Sequence, residues 1–542
     1  MTAGRVDQDP VVGTEPSRPA EPPPPVPDGD RARPGGWALD HWTSLTLLAA
    51  LLVVVGVVHA VGMSGAPQRV DDEGTYVAQA WAVLHRHTLA HYTYWYDHPP
   101  LGWLLLAAWT GITGGFSRAA NAVAAGREFM LVTQLVSAGL LYGLARRLEL
   151  RRPAAAAGVL LFALSPLALS FHRGVYLDNA ATPFVLAAFL LALSPSHRLA
   201  AHAAGGLAMA AAVLAKETSL LLLPALLWQY WQVSDWRTRR YSIALASSLF
   251  VLVVSAYALY ALLRGELLPG PGHVSLFDAV RFQLAGRSPS GSPFDPGSAA
   301  HRTIQGWLGL DPWLLGAAVV LVPAGLAIRR LRGVTAAFAI LAAMALRPGY
   351  LPVPLVIAML PFASLLVAGV ADAAWGTQAH PRHLAGPHGA ASRRLAARPL
   401  LVGCVLLLAA VLVAPGWLVR DRDLMTVDHD APFRQAEAWI GAKMPGDARL
   451  LVDDAVWVDL VSKGRPAERV VWFYKLDTDR DVQARYPRGW QDFHYVMSTP
   501  SLRGFPDSLP QVAQAMRHSR VVASFGRGPG RVEIRRVQTV PA

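Results

Sequence analysis

The sequence predicts a polytopic α-helical membrane protein that ends in a small α/β domain. Three observations carry that prediction. Of 542 residues, 53% are hydrophobic and 16% charged, where a soluble chain carries about a quarter charged residues. Between Leu45 and Leu418, apolar runs close to the roughly 20 residues of a helical crossing alternate with short basic loops. From Asp421 onward the texture changes to short β-type runs interleaved with helical stretches.

The basic loops set the polarity of the spans. Arg146, Arg147, Arg151 and Arg152 form one cluster, and Arg237, Arg239 and Arg240 another. Arg329, Arg330 and Arg332 form a third, and Arg393, Arg394 and Arg398 a fourth. This is the positive-inside pattern of cytoplasmic loops. The net charge of +12 is thereby topological, and no nucleic-acid partner is expected. Residues 1–40 precede the first apolar run and include the proline stretch Glu21 to Pro27. They read as a disordered cytoplasmic tail and not as a cleavable signal.

A first span near Leu45 to Val61 leads outward. Leu101 to Phe116 is apolar but short and broken by glycines, so it is expected to lie at the interface or to enter and return. Further spans are expected at Phe129 to Ala145, Ala154 to Phe171, Ala180 to Leu193, Ala203 to Ala215, Leu220 to Trp231 and Tyr241 to Leu263. After a long outer segment, Arg264 to Asp311, come Trp313 to Ile328, Val334 to Leu346 and Leu351 to Val370. A cytoplasmic loop to Arg398 precedes Leu400 to Leu418. The count is about eleven transmembrane helices within residues 41–420 of a plasma-membrane protein. Residues 421–542 are then extracytoplasmic, with a helix at Pro432 to Lys443, another at Leu509 to Arg517, and five short strands.

Four outer-side constellations carry the candidate chemistry. Asp71, Asp72 and Glu73 follow the first span; an ionised carboxylate there can act as a general base, and acids also favour a helix start. His98 stands before Pro99-Pro100-Leu101, where the proline pair starts a helix and the imidazole can meet an anion. Arg173 and Asp178 flank a short outer turn near membrane depth, where ionisable groups are functional suspects. Lys216-Glu217 and Arg347-Pro348-Gly349-Tyr350 place further cations at outer ends, suited to a phosphate or to lipid headgroups. His85, His87 and His91 read as interfacial and not as metal ligands, and Asp453-Asp454 as a strand end capping a helix. The single cysteine, Cys404, excludes an intrachain disulfide and a cysteine metal site. No metal ligands are assigned and no cofactor is named by the residues; a need for a divalent cation stays open.

In order, these motifs resemble the GT-C superfamily. An Asp-Glu pair and Tyr follow helix one, then come a Pro-Pro-Leu start, Arg-x4-Asp in the next outer turn, and a Lys between two spans. The likeness covers about Leu45 to Val370 and is greatest to the branch of protein O-mannosyltransferases and lipid A aminoarabinose transferases. It implies an inverting glycosyltransferase that moves a sugar, mannose being one candidate, from a polyprenyl-phosphate donor to an extracytoplasmic glycan, lipid or protein. Asp72 matches the family's catalytic aspartate, Glu73 completes its motif, and Asp178 matches the second acidic position. The resemblance and the outer-edge placement assign His98, Arg173, Lys216, Arg347 and Tyr350 to the donor phosphate. His98 stands where some members carry a lysine, and Lys216, Arg347 and Tyr350 match loosely. The rival class is a secondary transporter or flippase, which would show repeated halves and midplane charges. Here the charges gather at outer ends.

Overall fold

The computed structural model describes residues 36–194, 199–271, 273–376, 389–504 and 508–538. The expected tail falls almost wholly outside these residues, as does the middle of the loop after Ala371. The chain divides into Met1–Thr46 and Leu47–Ala542; of the first unit the described part is the start of helix α1 (Gly36–Ala60).

In the second unit, every expected apolar run is helical. After α1 come α2 (Asp71–Arg86), α3 (Leu101–Thr113), α4 (Ala122–Arg147), α5 (Arg152–Leu164), α6 (Pro166–Arg173), α7 (Leu177–Ala192) and α8 (Leu199–Ala215). They are followed by α9 (Leu223–Val233), α10 (Arg239–Leu263), α11 (Ala299–Leu310), α12 (Pro312–Ala327), α13 (Arg332–Leu346), α14 (Leu355–Gly376) and α15 (Gly389–Thr426). Among the described residues five helical stretches are long and apolar enough to cross a membrane, or seven when two bent pairs each count as one span. Helices α3, α7 and α8 are apolar but shorter. The structure thus supports a polytopic membrane protein.

The bends have local causes. Helices α5 and α6 meet at 60° around Ser165, and α11 and α12 at 107° around Asp311. Proline opens both second helices, Pro166 and Pro312. Asp311 Oδ1 accepts the N–H groups of Trp313 and Leu314, capping α12. Its Oδ2 accepts the Ser165 hydroxyl at 2.6 Å, which ties the two bends together. Helix α3 has 13 residues, about 20 Å at 1.5 Å per residue and less than a hydrocarbon core. It ends at Gly114, whose φ of +64° is the left-handed cap that glycine adopts freely.

Helix α15 runs through Asp421 to Thr426, so the last long helix ends about five residues beyond the expected boundary. Beyond it lie α16 (Ala431–Lys443), α17 (Trp457–Ser462) and α18 (Pro510–Arg517). With them are strands β1 (Leu450–Val452), β2 (Val470–Trp472), β3 (Tyr495–Ser498), β4 (Ser519–Phe525) and β5 (Val532–Val537). The strand order is β2-β1-β3-β5-β4, parallel on the β2-β1-β3 side and antiparallel on the β3-β5-β4 side.

Side chains alternate across this sheet, as a period of two requires. Leu450, Val452, Val470 and Trp472 join one apolar cluster with Trp81 and Trp103 of α2 and α3 and with Trp457. Leu451, Val471, Phe473 and Val496 face the other way onto Leu476, Val482, Val512 and Ala515. The sheet therefore seats α2, the helix that begins at Asp71, on its first face. A separate apolar cluster, drawn from α1 and from α4–α14, forms the core of the helical bundle.

Candidate active site

Helix α2 starts at the Asp71-Asp72-Glu73 motif, and its first two described carboxylates have different surroundings. Glu73 is fully buried. Its Oε1 accepts from Arg127 Nε at 2.9 Å and from the Val175 N–H at 3.0 Å. Its Oε2 accepts from Arg127 Nη2 at 2.9 Å and from the Val70 N–H at 3.3 Å. The carboxylate is thus committed to joining α2, α4 and the turn before α7. Asp72 is half-buried, and among the described residues no hydrogen bond or ion pair engages its carboxylate. Its charge acts on Tyr76, Lys216 and Tyr350.

Around that carboxylate the chain assembles a charged cluster. The proline pair places His98 just ahead of α3, where its Nδ1 lies 3.0 Å from Glu217 Oε1. The Lys216 Nζ sits 3.5 Å from His98 Nε2 and 3.6 Å from Glu217 Oε1. The same Nζ lies 3.4 Å from His98 Nδ1, so the ammonium sits against the ring near both nitrogens. Asp178, in the first turn of α7, is buried and accepts from Thr218 Oγ1 at 3.4 Å. Burial opposes the Lys216 charge, but Glu217, then Asp178 and Asp72, more than offset it and raise its pKa. Burial likewise opposes ionisation of Glu217, yet Lys216 and His98 hold its carboxyl well below the usual range. Both stay charged at neutral pH.

Arg287 completes the cluster from the segment between α10 and α11. Its Nη1 donates to the Tyr350 hydroxyl at 2.7 Å and its Nε to Gln283 Oε1 at 2.7 Å. Gln283 in turn donates to the Asp97 carbonyl, beside His98. Tyr76 of α2 lies against His98, with ring centres 5.9 Å apart. A cavity of about 520 Å³ adjoins the start of α2, lined by Val70, Glu73, Tyr176, Arg302 and Trp307 among others but by none of the cluster residues. Asp72 is flanked in sequence by two of those lining residues.

The structure therefore brings together Asp72, His98, Asp178, Lys216 and Tyr350. It does not bring Arg173 or Arg347 to them. Arg173 is buried and donates to the carbonyls of Val58, Val61 and Leu424, all at 2.6 Å, joining the ends of α1 and α15. Asn179 fixes the same turn by donating to the Phe171 and Gly174 carbonyls at 2.9 Å. Arg347 is exposed, and its one recorded bond is to the adjacent Pro348 carbonyl. Sequence reasoning missed Arg287, because nothing in a Gly-, Pro- and Ser-rich segment marks one arginine as inward-facing. It also gave Glu217 no role, although the Lys-Glu pair was in view. Among the described residues no group of three His, Cys, Asp or Glu side chains is placed to hold a metal ion.

The fold is similar to GT-C folds of the branch of protein O-mannosyltransferases and aminoarabinose transferases. The family model for dolichyl-phosphate-mannose-protein mannosyltransferase matches residues 97–260. No curated protein matches the chain. Among solved structures, ArnT from Cupriavidus metallidurans in the apo state aligns at a TM-score of 0.55 and 18% identity, covering 92% of this chain and 98% of that one. The same protein bound to undecaprenyl phosphate aligns at 0.52 and 17%, covering 93% and 98%. The Archaeoglobus fulgidus oligosaccharyltransferase tethered with an acceptor peptide aligns at 0.56 and 10%, covering 91% and 74%. The matched family and the shared fold are those of glycosyltransferases.

Proposed function

We propose that the chain is an inverting glycosyltransferase that moves a sugar from a polyprenyl-phosphate donor to an extracytoplasmic acceptor, with Asp72 as general base. The observation that carries this reading is the pair of cations Lys216 and Arg287, with the His98 imidazole beside Lys216, gathered about an Asp72 carboxylate that no other described residue engages. Asp72 takes the proton of the acceptor hydroxyl as that oxygen bonds to the anomeric carbon. The bond from anomeric carbon to phosphate oxygen breaks, its electron pair stays on the lipid phosphate, and the inversion follows from attack opposite that bond. The growing phosphate charge is met by Lys216, Arg287 and His98, with the Tyr350 hydroxyl as a further donor. Asp178 supports the charge state of Lys216, and Glu73 fixes the start of α2. In this arrangement Arg173 and Arg347 stand outside the donor site. The ArnT structure with undecaprenyl phosphate supports a polyprenyl carrier for this fold, and the family match favours mannose as the first sugar to try. In the proposed topology the protein is multi-pass in the plasma membrane, with residues 1–40 cytoplasmic and residues 421–542 extracytoplasmic.

The test is transfer from radiolabelled polyprenyl-phosphate sugars to cell-envelope acceptors, comparing the native protein with Asp72→Asn. Loss of a general base costs about 10²–10⁴-fold in rate, with polyprenyl-phosphate binding retained. Undiminished transfer by Asp72→Asn would refute the assignment.

A further inference from the structure

The region after α15 reaches the start of α2 through a buried network of two arginines and four carboxylates. Arg69, just ahead of α2, donates from Nε to Asp430 Oδ2 at 3.0 Å and from Nη1 to Glu437 Oε1 at 2.8 Å; its Nη1 also lies 3.7 Å from Asp459 Oδ2. Arg127 of α4 holds Glu73 and lies 3.8 Å from the same Asp430 oxygen. Asp430 thus stands between the two guanidiniums, and the side chains of Arg69, Arg127, Asp430 and Glu73 are wholly inaccessible. Arg127 also donates to the Met63 and Pro67 carbonyls, at 3.0 and 2.7 Å, so it fixes the strand of chain leading to Arg69.

Two neutral contacts reinforce this network. Thr75 Oγ1 donates to Asp454 Oδ2 at 2.6 Å. Gly74 rests so closely on the next residues that a Cβ there would meet the Ala455 nitrogen at 2.1 Å. Asp72 lies between Glu73 and Arg69 in sequence, so both of its flanks are held by groups that Asp430, Glu437 and Asp459 neutralise.

We propose that the α/β region is a positioning element of the active site, with Asp430 the positioning residue that holds the Asp72 segment through Arg69 and Arg127. Removing one carboxylate leaves a guanidinium buried and underpaired, which favours local opening of residues 68–77 over loss of the sheet. The inference rests on the reading of Asp72 as base for its catalytic consequence, but not for its structural one.

The full-length protein in phosphatidylethanolamine–phosphatidylglycerol nanodiscs provides the test, with Asp430→Asn as the variant. Hydrogen exchange over residues 68–77 should rise at least about tenfold, while residues 450–452 and 495–498 keep their protection. Release of polyprenyl phosphate from polyprenyl-phosphate mannose should fall about 100-fold in kcat, since a displacement near 1 Å has that effect. The KM for the donor should stay within about twofold, and Asp430→Glu should restore part of the rate. Native exchange over residues 68–77 overturns the proposal, as does a rate loss that appears in KM alone. If Asp430→Asn does not fold, Arg69→Lys, which keeps the charge but cannot bond Asp430 and Glu437 together, should give the same pattern at smaller size, and its failure to do so overturns the proposal equally. Raised exchange without donor turnover in the native protein supports the positioning contact and refutes the reaction instead.

Discussion

Arg287 donates to the Tyr350 hydroxyl at 2.7 Å while its guanidinium carbon lies 4.6 Å from the centre of the same ring. One residue comes from the segment between α10 and α11 and the other from the loop before α14, so each orders the other. A stacked guanidinium with Nη2 unspent suits a phosphate oxygen better than a swinging lysine would. Arg287→Ala should weaken polyprenyl-phosphate binding by about 1.5–3 kcal/mol, the worth of a hydrogen bond to a charged group. Arg287→Lys should recover only part of it, and Tyr350→Phe should cost about 0.5–1.5 kcal/mol. Titration calorimetry with polyprenyl phosphate in nanodiscs measures all three, and unchanged affinity in Arg287→Ala removes it from the donor site.

Arg173 makes the opposite prediction. It satisfies three carbonyls at the ends of α1 and α15, and each buried polar group left unpaired costs about 1–3 kcal/mol. Arg173→Ala should lower the thermal midpoint and leave the donor affinity of the folded fraction unchanged. A selective loss of donor binding with native stability would return Arg173 to the site.

The contrast between these two arginines marks how far the sequence could be read. Apolar period located most helices of the bundle, since burial leaves a one-dimensional signature, but α11, at Ala299–Leu310, lay within the segment read as an outer loop. The five short strands were legible as apolar runs between turn residues, but only the packing shows that Leu450 and Val452 face one cluster and Leu451 the other. The motif order singled out Asp72, His98, Asp178 and Lys216 as candidates, and the structure sets them at the ends of helical elements. What escaped was the direction of long side chains from turns. Arg173 and Arg287 both lie at helix ends, and only the packed neighbours decide that one bonds helix-end carbonyls while the other faces the cluster. The link from Asp430 to Arg69 spans 361 residues, and no local pattern reports it.

Docking of the α/β region should depend on pH through Glu437. Burial pushes its carboxyl from 4.5 up to about 7, against the lowering effect of Arg69, with Asp459 raising it further and Lys463 lowering it. A group whose pKa is raised on folding contributes stability that is complete below its unfolded value and is lost as pH rises through the folded one. Protection of residues 68–77 should therefore decline between about pH 5 and pH 8. Glu437→Gln, which cannot ionise, should flatten that profile in hydrogen exchange. An unchanged slope in the variant would assign the dependence to another group.

The proposed topology predicts which parts of the chain meet added protease. In intact cells, the region after Thr426 should be cut and a tag ahead of residue 36 spared, because the arginine clusters mark the opposite side. Cleavage of the tag with protection of the C-terminal region would invert the arrangement and remove Asp72 from the outer face.

Asp72 and Glu73 are neighbours with opposite physical situations, and the two isosteric amides should separate chemistry from structure. Glu73 accepts four hydrogen bonds, two of them from buried Arg127. Glu73→Gln leaves that guanidinium without its carboxylate, and breaking a buried pair by removing one partner costs about 3–5 kcal/mol. Its thermal midpoint should fall, with exchange over residues 68–77 rising in parallel. Asp72 is held by nothing comparable, so Asp72→Asn should keep the native midpoint and native exchange. Its rate should nevertheless fall by about 10²–10⁴-fold, because the amide cannot take the acceptor proton. The rate loss in Glu73→Gln should be smaller at temperatures where it remains folded, since its base is displaced and not absent. If Glu73→Gln instead keeps native stability and loses all transfer, while Asp72→Asn turns over normally, the base is Glu73 and the buried pair is part of the reaction.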